Sequence, residues 1–112
     1  MAWTSITNPL DPPGPIPYGD RYMTLREVVP DSSWLAAGEA LTYGQLGFSK
    51  APDWVEVQPT GGYVAEYDIA NEVLLVYWVD TSVDGVALAA VVDGTNLSGR
   101  TFVVKAYGKY AA

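Results

Sequence analysis

Apolar and polar positions alternate along this chain in short runs, and Gly, Pro, Asn and Asp punctuate them at close spacing. That pattern predicts antiparallel strands in a sandwich or barrel. Tyr22 to Val28 reads as a first strand, ended by Pro30. Trp54 to Gln58 alternates cleanly, with Val55 and Val57 on one face and Trp54, Glu56 and Gln58 on the other. Gly61-Gly62 turns the chain into a strand from Tyr63 to Tyr67, and Asp68 to Asn71 turns it again. The strongest strand runs from Glu72 to Val79, with Val73, Leu75, Tyr77 and Val79 on one face and Leu74, Val76 and Trp78 on the other. A strand apolar on both faces is covered on both sides. In a two-layer domain this small, a second subunit is an expected cover. Asp80 to Gly85 is the next turn, an alanine-rich strand follows from Val86 to Val92, and Thr101 to Tyr107 closes the fold. Ser32 or Ser33 is placed to cap one helical turn over Trp34 to Ala37, stopped by Gly38. Leu41 to Phe48, interrupted by Gly44 and Gly47, is expected to be a short turn or an irregular strand.

The first twenty residues break this pattern. Five of the eight prolines lie in the first seventeen residues. Proline has no donor N–H and a fixed φ, so the segment is expected to be neither helix nor central strand. The expectation is an extended arm over 1–20 and a β-sandwich domain over 21–112. Eighteen residues in polyproline geometry reach about 55 Å, far beyond a domain radius of gyration of about 12 Å. Trp3, Ile6, Leu10, Ile16 and Tyr18, set between the prolines, would be the arm's apolar anchors on a neighbouring protein.

Composition narrows the function. The 112 residues allow one domain with a single sheet-on-sheet core. Cysteine and histidine are both absent. No disulfide framework, thiol nucleophile or hydrolase triad can therefore be assembled, and the commonest metal ligand and general base are missing. The net charge is −7, and the six basic residues form no run. Nucleic-acid affinity needs clustered Lys and Arg, so nucleic acid is not an expected partner. No apolar stretch approaches the ~20 residues of a membrane-spanning helix, and no basic cap and apolar run open the chain as a secretory signal would. A soluble protein made in the cytoplasm, with no membrane partner, is expected.

Three clusters were weighed for chemistry. Glu66 and Asp68 share a strand face, with Glu56 expected near them across the turn. Paired carboxylates can serve a glycosidase, but solvated surface charge is the simpler reading in a chain with no evident cleft. Asp80, Asp84 and Gly85 partly resemble a calcium loop but lack its closing Glu, so a tight turn is expected there, and no cofactor or metal. Tyr63, Tyr67, Tyr77 and Trp78 are candidates for a sugar-stacking platform, weighed against ordinary core and interface packing.

Three segments carry a resemblance to a known family. The first is Gly38-Glu39-Ala40-Leu41-Thr42-Tyr43-Gly44-Gln45-Leu46-Gly47-Phe48 with the Val-rich strand after it. The second is Gly62-Tyr63-Val64-Ala65-Glu66-Tyr67-Asp68 and, past a short turn, Glu72-Val73-Leu74-Leu75-Val76-Tyr77-Trp78. The third is Leu97-Ser98-Gly99-Arg100-Thr101-Phe102-Val103-Val104-Lys105-Ala106-Tyr107-Gly108. In their order and spacing these segments, spanning about two-thirds of the chain, resemble the capsid decoration (cement) proteins of tailed bacteriophages. The resemblance implies a β-sandwich or jelly-roll-like domain on the outer surface of the virion. There it would bind the major capsid protein and clamp adjacent subunits, often as a trimer. The first twenty residues lie outside the matching segments. Self-association is expected through the doubly apolar strand, at Leu74, Val76, Tyr77 and Trp78. The runner-up is a carbohydrate- or host-surface-binding β module of a head fibre or tail. An enzyme is not expected.

Overall fold

The computed structural model describes residues 3–11, 14–78 and 89–111. Its elements are β1 (Trp3–Thr7), β2 (Ile16–Tyr18), β3 (Arg21–Pro30), β4 (Glu39–Ala40), α1 (Tyr43–Leu46), β5 (Trp54–Val57), β6 (Tyr63–Asp68), β7 (Val73–Trp78), β8 (Ala89–Ala90) and β9 (Phe102–Gly108). They form two antiparallel sheets, as the alternation predicts. Sheet A runs β1-β3-β9-β5, with β2 also on β3; sheet B runs β4-β7-β6, with β8 also on β7. The protein is an all-β sandwich. The expected turn over Asp80 to Gly85, and most of the strand expected from Val86, lie outside the described residues.

The pleat decides what fills the space between the sheets. Along β9 the burial alternates without a break: Phe102, Val104, Ala106 and Gly108 face in, while Val103, Lys105 and Tyr107 face out. Val28 of β3, Val57 of β5, and Leu74 and Val76 of β7 meet that inner face together with Trp34, Leu41, Leu46 and Leu97. The chain passes from sheet A to sheet B at Gly61-Gly62. Both glycines have positive φ, and Thr60 and Tyr63 exchange backbone hydrogen bonds of 3.0 and 2.9 Å across them. This is the two-residue hairpin geometry that the glycine pair predicts.

The N-terminal segment is not a free arm, which corrects the sequence expectation. β1 and β2 both pair antiparallel with β3, on the edge opposite β9. Thr7 lies opposite Glu27 and Ile16 opposite Met23, so nine steps of chain on one side answer four on the other. Residues 8–11 and 14–15 fall in that excess and belong to no strand. Pro17 sits within β2, where one side of the strand needs no donor. Trp3 is only 6% exposed and lies in the core; its indole N–H donates to the Ala40 carbonyl at 2.8 Å, and its ring meets Trp34 edge-on at 5.7 Å. A side chain of sheet A is thus tied to the backbone of sheet B. Ile6 packs against the same core, Leu10 is half-buried, and only Ile16 and Tyr18 are exposed. The proposed anchors Trp3 and Ile6 therefore hold this domain together, and no boundary falls at residue 20.

The helical turn also moves. Trp34 to Ala37 is not helical; the Asp31 carboxylate accepts from the Ser33 N–H at 2.9 Å and turns the chain without a helix. One helical turn forms instead at α1, where Thr42 and Gln45 make a reciprocal capping box and Gly47, at φ 93°, ends it. Two inward residues of β3 hold its C-terminal carbonyls: Thr24 Oγ1 donates to Leu46 O at 2.6 Å and Arg26 Nε to Gln45 O at 3.1 Å.

Glu39 is the buried acid of the interior, 7% exposed on β4. Burial pushes its carboxyl pKa up, the Leu35 N–H bonded to it at 3.2 Å pulls it partway back, and the charge of Asp31 raises it again. A raised carboxyl pKa means the folded state binds the proton more tightly. This contribution is complete below the unfolded value of about 4.3 and is lost as pH rises through the higher folded value. Glu39→Gln, which keeps an oxygen for the Leu35 N–H, is expected to raise Tm at pH 7, the gain vanishing near pH 4. Thermal melts of both proteins across that range check it. Trp3→Ala is expected to cost about 3–5 kcal/mol through its cavity and lost packing. Urea unfolding measures this directly; an N-terminal arm lying free of the domain would leave the midpoint unmoved.

Candidate binding surfaces

Residues that lie directly opposite on paired strands share a face, so the registers fix what each sheet shows to solvent. On sheet A, Ile16 lies opposite Met23, Met23 opposite Tyr107, and Tyr107 opposite Trp54. All four belong to the outward phase, in step with Lys105 and out of step with Phe102 and Val104. They form one apolar row across β2, β3, β9 and β5. With strands about 4.8 Å apart, the row is about 14 Å long. Tyr18 leans over it, its ring 5.6 Å from that of Tyr107 and tilted by 57°. Tyr18 is 66% exposed and Trp54 59% exposed.

Charged groups are interleaved with these rings. Tyr18, Arg21, Asp53, Trp54, Glu56 and Tyr107 line one open cleft of about 400 Å³. Arg21 Nε donates to Asp53 Oδ2 at 2.6 Å, Arg21 Nη1 lies 2.9 Å from Asp20 Oδ2, and the Trp54 indole N–H donates to Glu56 Oε1 at 2.8 Å. Asp20 and Asp53 thus meet at the Arg21 guanidinium, and Glu56 is bonded to Trp54. An exposed ion pair contributes little to stability.

A second apolar surface lies at the other end of the sandwich. Five residue steps along β9, about 17 Å of strand, separate Tyr107 from Phe102. Beyond Phe102, Arg100 lies over the Tyr63 ring, and Tyr63 is opposite Trp78 on β7. Tyr63, Trp78, Val91, Val92 and Thr95 line a pocket of about 240 Å³ there. Val92 is 67% exposed and Trp78 38% exposed. Leu35, exposed, belongs to the neighbouring loop, which is laced to 93–95 through Trp34 and Ala36.

Several sequence-derived sites come apart in the structure. Leu74 and Val76 are buried in the core and Tyr77 faces the opposite side of β7, so the four residues expected to self-associate form no single surface. Of these, Trp78 is on the inward side but at the open end, where it reaches solvent. The four-ring platform is likewise not assembled. Tyr67 is in the core, its hydroxyl donating to the Leu41 carbonyl at 2.6 Å and its pKa pushed up by burial. Tyr77 is bound to Glu66 on the outer face of sheet B, the hydroxyl donating at 2.9 Å. Glu66 and Asp68 do share that face, but Glu56 stands on the outer face of sheet A. Asp68 is occupied by Asn71, whose two N–H bonds lower its pKa. Among the described residues no group of three acidic side chains is placed to hold a metal ion.

The sheet A row was missed, though one sign of it was visible. Trp54 sits in the polar phase of its strand, with Glu56 and Gln58, and Tyr107 in the phase of Lys105. Large rings in the solvent phase of two strands are the sequence sign of an exposed aromatic row. Trp54→Ala and Tyr18→Ala are expected to change unfolding free energy by less than about 1 kcal/mol, against the far larger loss at Trp3. Parallel urea titrations test the contrast. Compared with known proteins, the chain matches no family model, no curated protein and no solved structure.

Proposed function

We propose that this chain is a capsid decoration protein. In this reading it binds the outer surface of an assembled phage shell and holds neighbouring capsid subunits together. The observation that carries the reading is the exposed apolar end formed by Trp78, Val92 and Leu35. Trp78, and Tyr63 which lines the same pocket, fall within the segments that resemble the decoration family. An all-β body with an acidic surface, net charge −7, suits a part that must stay soluble alone and dock on protein.

The mechanism is linkage. A ligand that binds the assembled shell and not the free subunit stabilises assembly by mass action, about 2.7 kcal/mol per site at a hundredfold excess over Kd. Many sites on one shell multiply that effect. No reacting group is required. The apolar end contributes the desolvated centre of the contact and the surrounding acidic surface its polar rim. With Leu74 and Val76 in the core, a trimer would form through Trp78 and its exposed neighbours rather than through the whole strand.

Co-sedimentation tests the reading. The protein is expected to pellet with assembled shells and to stay in solution with free capsid subunits. Val92→Asp and Trp78→Ala should each weaken shell binding about tenfold or more, the loss typical of a central apolar contact. Shells that never recruit the chain, or variants that bind as the parent does, refute it.

A further inference from the structure

The geometry points to a glycan-binding site on the outer face of sheet A, for a neutral, pyranose-based oligosaccharide. A pyranose ring presents an apolar face of C–H groups bounded by hydroxyls. It is recognised by a flat aromatic surface with hydrogen-bonding groups fixed around it. The row Ile16–Met23–Tyr107–Trp54 supplies the flat apolar track, and Tyr18 and Trp54 are its most exposed rings. Asp53, Arg21 and Glu56 stand in the same cleft, within reach of hydroxyls above the rings.

Other ligand classes fit less well. Asp20, Asp53 and Glu56 stand here with Arg21 and with Lys105, which lies opposite Glu56, so phosphate and nucleic acid meet no excess of positive charge. A protein partner would favour a contact centre depleted of charge, whereas here the ion pair and the Trp54–Glu56 bond flank the rings in the same cleft. An organic cation is best held in a box of rings; these side chains form a row along one sheet face instead. Aspartate and glutamate accept from hydroxyls and Arg21 donates to them. The Arg21–Asp53 and Trp54–Glu56 bonds set those groups beside the rings. The site lies at the opposite end of the sandwich from the proposed shell contact. The two readings are independent and fail separately.

Titration of the full chain with maltoheptaose, cellohexaose and chitohexaose, followed by amide NMR and calorimetry, tests the site. At least one of these is expected to shift resonances of residues 16–23, 53–56 and 105–107. Trp54→Ala and Tyr18→Ala should each weaken that binding about fivefold, the worth of one good aromatic contact. Tyr110→Ser, which removes another exposed ring, should leave it unchanged. The proposal is overturned if none of the three sugars shifts these residues, if the shifts fall elsewhere, or if choline chloride shifts them at lower concentration.

Discussion

The indole of Trp3 closes this sandwich. Its ring lies edge-on against Trp34, and its N–H reaches the Ala40 carbonyl on the opposite sheet at 2.8 Å. Two sheets of short strands bury little area each, and a domain of 112 residues has one core to spend on stability. A large side chain that enters this core from an edge strand therefore governs how the layers meet. It also explains the N-terminal path: β1 must lie on β3 for Trp3 to reach its place, and Thr4 Oγ1 secures that edge by donating to Pro30 O at 2.8 Å.

Both sheets end on a broken edge. In sheet A, β1 and β2 share one side of β3, with the proline-rich segment between them; in sheet B, β4 and β8 share one side of β7. Short, interrupted edge strands present no long ladder of unpaired groups to another chain. The opposite edges are single strands, β5 in sheet A and β6 in sheet B. Trp54 and Tyr18 stand on one face and Trp78 at the far end, and neither set is needed to fill the core. The proposed attachment at one end and the proposed recognition on a face at the other are mutually compatible in a body about 45 Å long.

Much of the fold was legible because strand alternation is a local property. Phe102-Val103-Val104-Lys105 declared its inner and outer faces in the sequence, and Gly61-Gly62 its turn, and both stand in the structure. The one-turn helix was also written locally, in Thr42 and Gln45, but two glycines nearby masked the capping pair. The proline segment misled for a physical reason. Missing donors forbid a central strand, yet they do not forbid an edge strand, and Pro17 itself sits in one. Residues on either side of the segment, Trp3 and Ile6 before it and Ile16 and Tyr18 after it, keep enough donors to pair with β3.

The sequence alone determined the all-β class, the phase of most strands and the absence of histidine and cysteine chemistry, because each of these depends on neighbours along the chain or on composition. It could not determine which strands lie side by side. Trp54 and Tyr107 are far apart in the chain and Ile16 farther still, and only the order β2-β3-β9-β5 sets them in one row. Tertiary structure likewise decided which large rings became core and which became surface. Trp3 and Trp54 are indistinguishable as residues; one fills the gap between two sheets and the other stands on the outside of one, and pairing across long sequence separations made that difference.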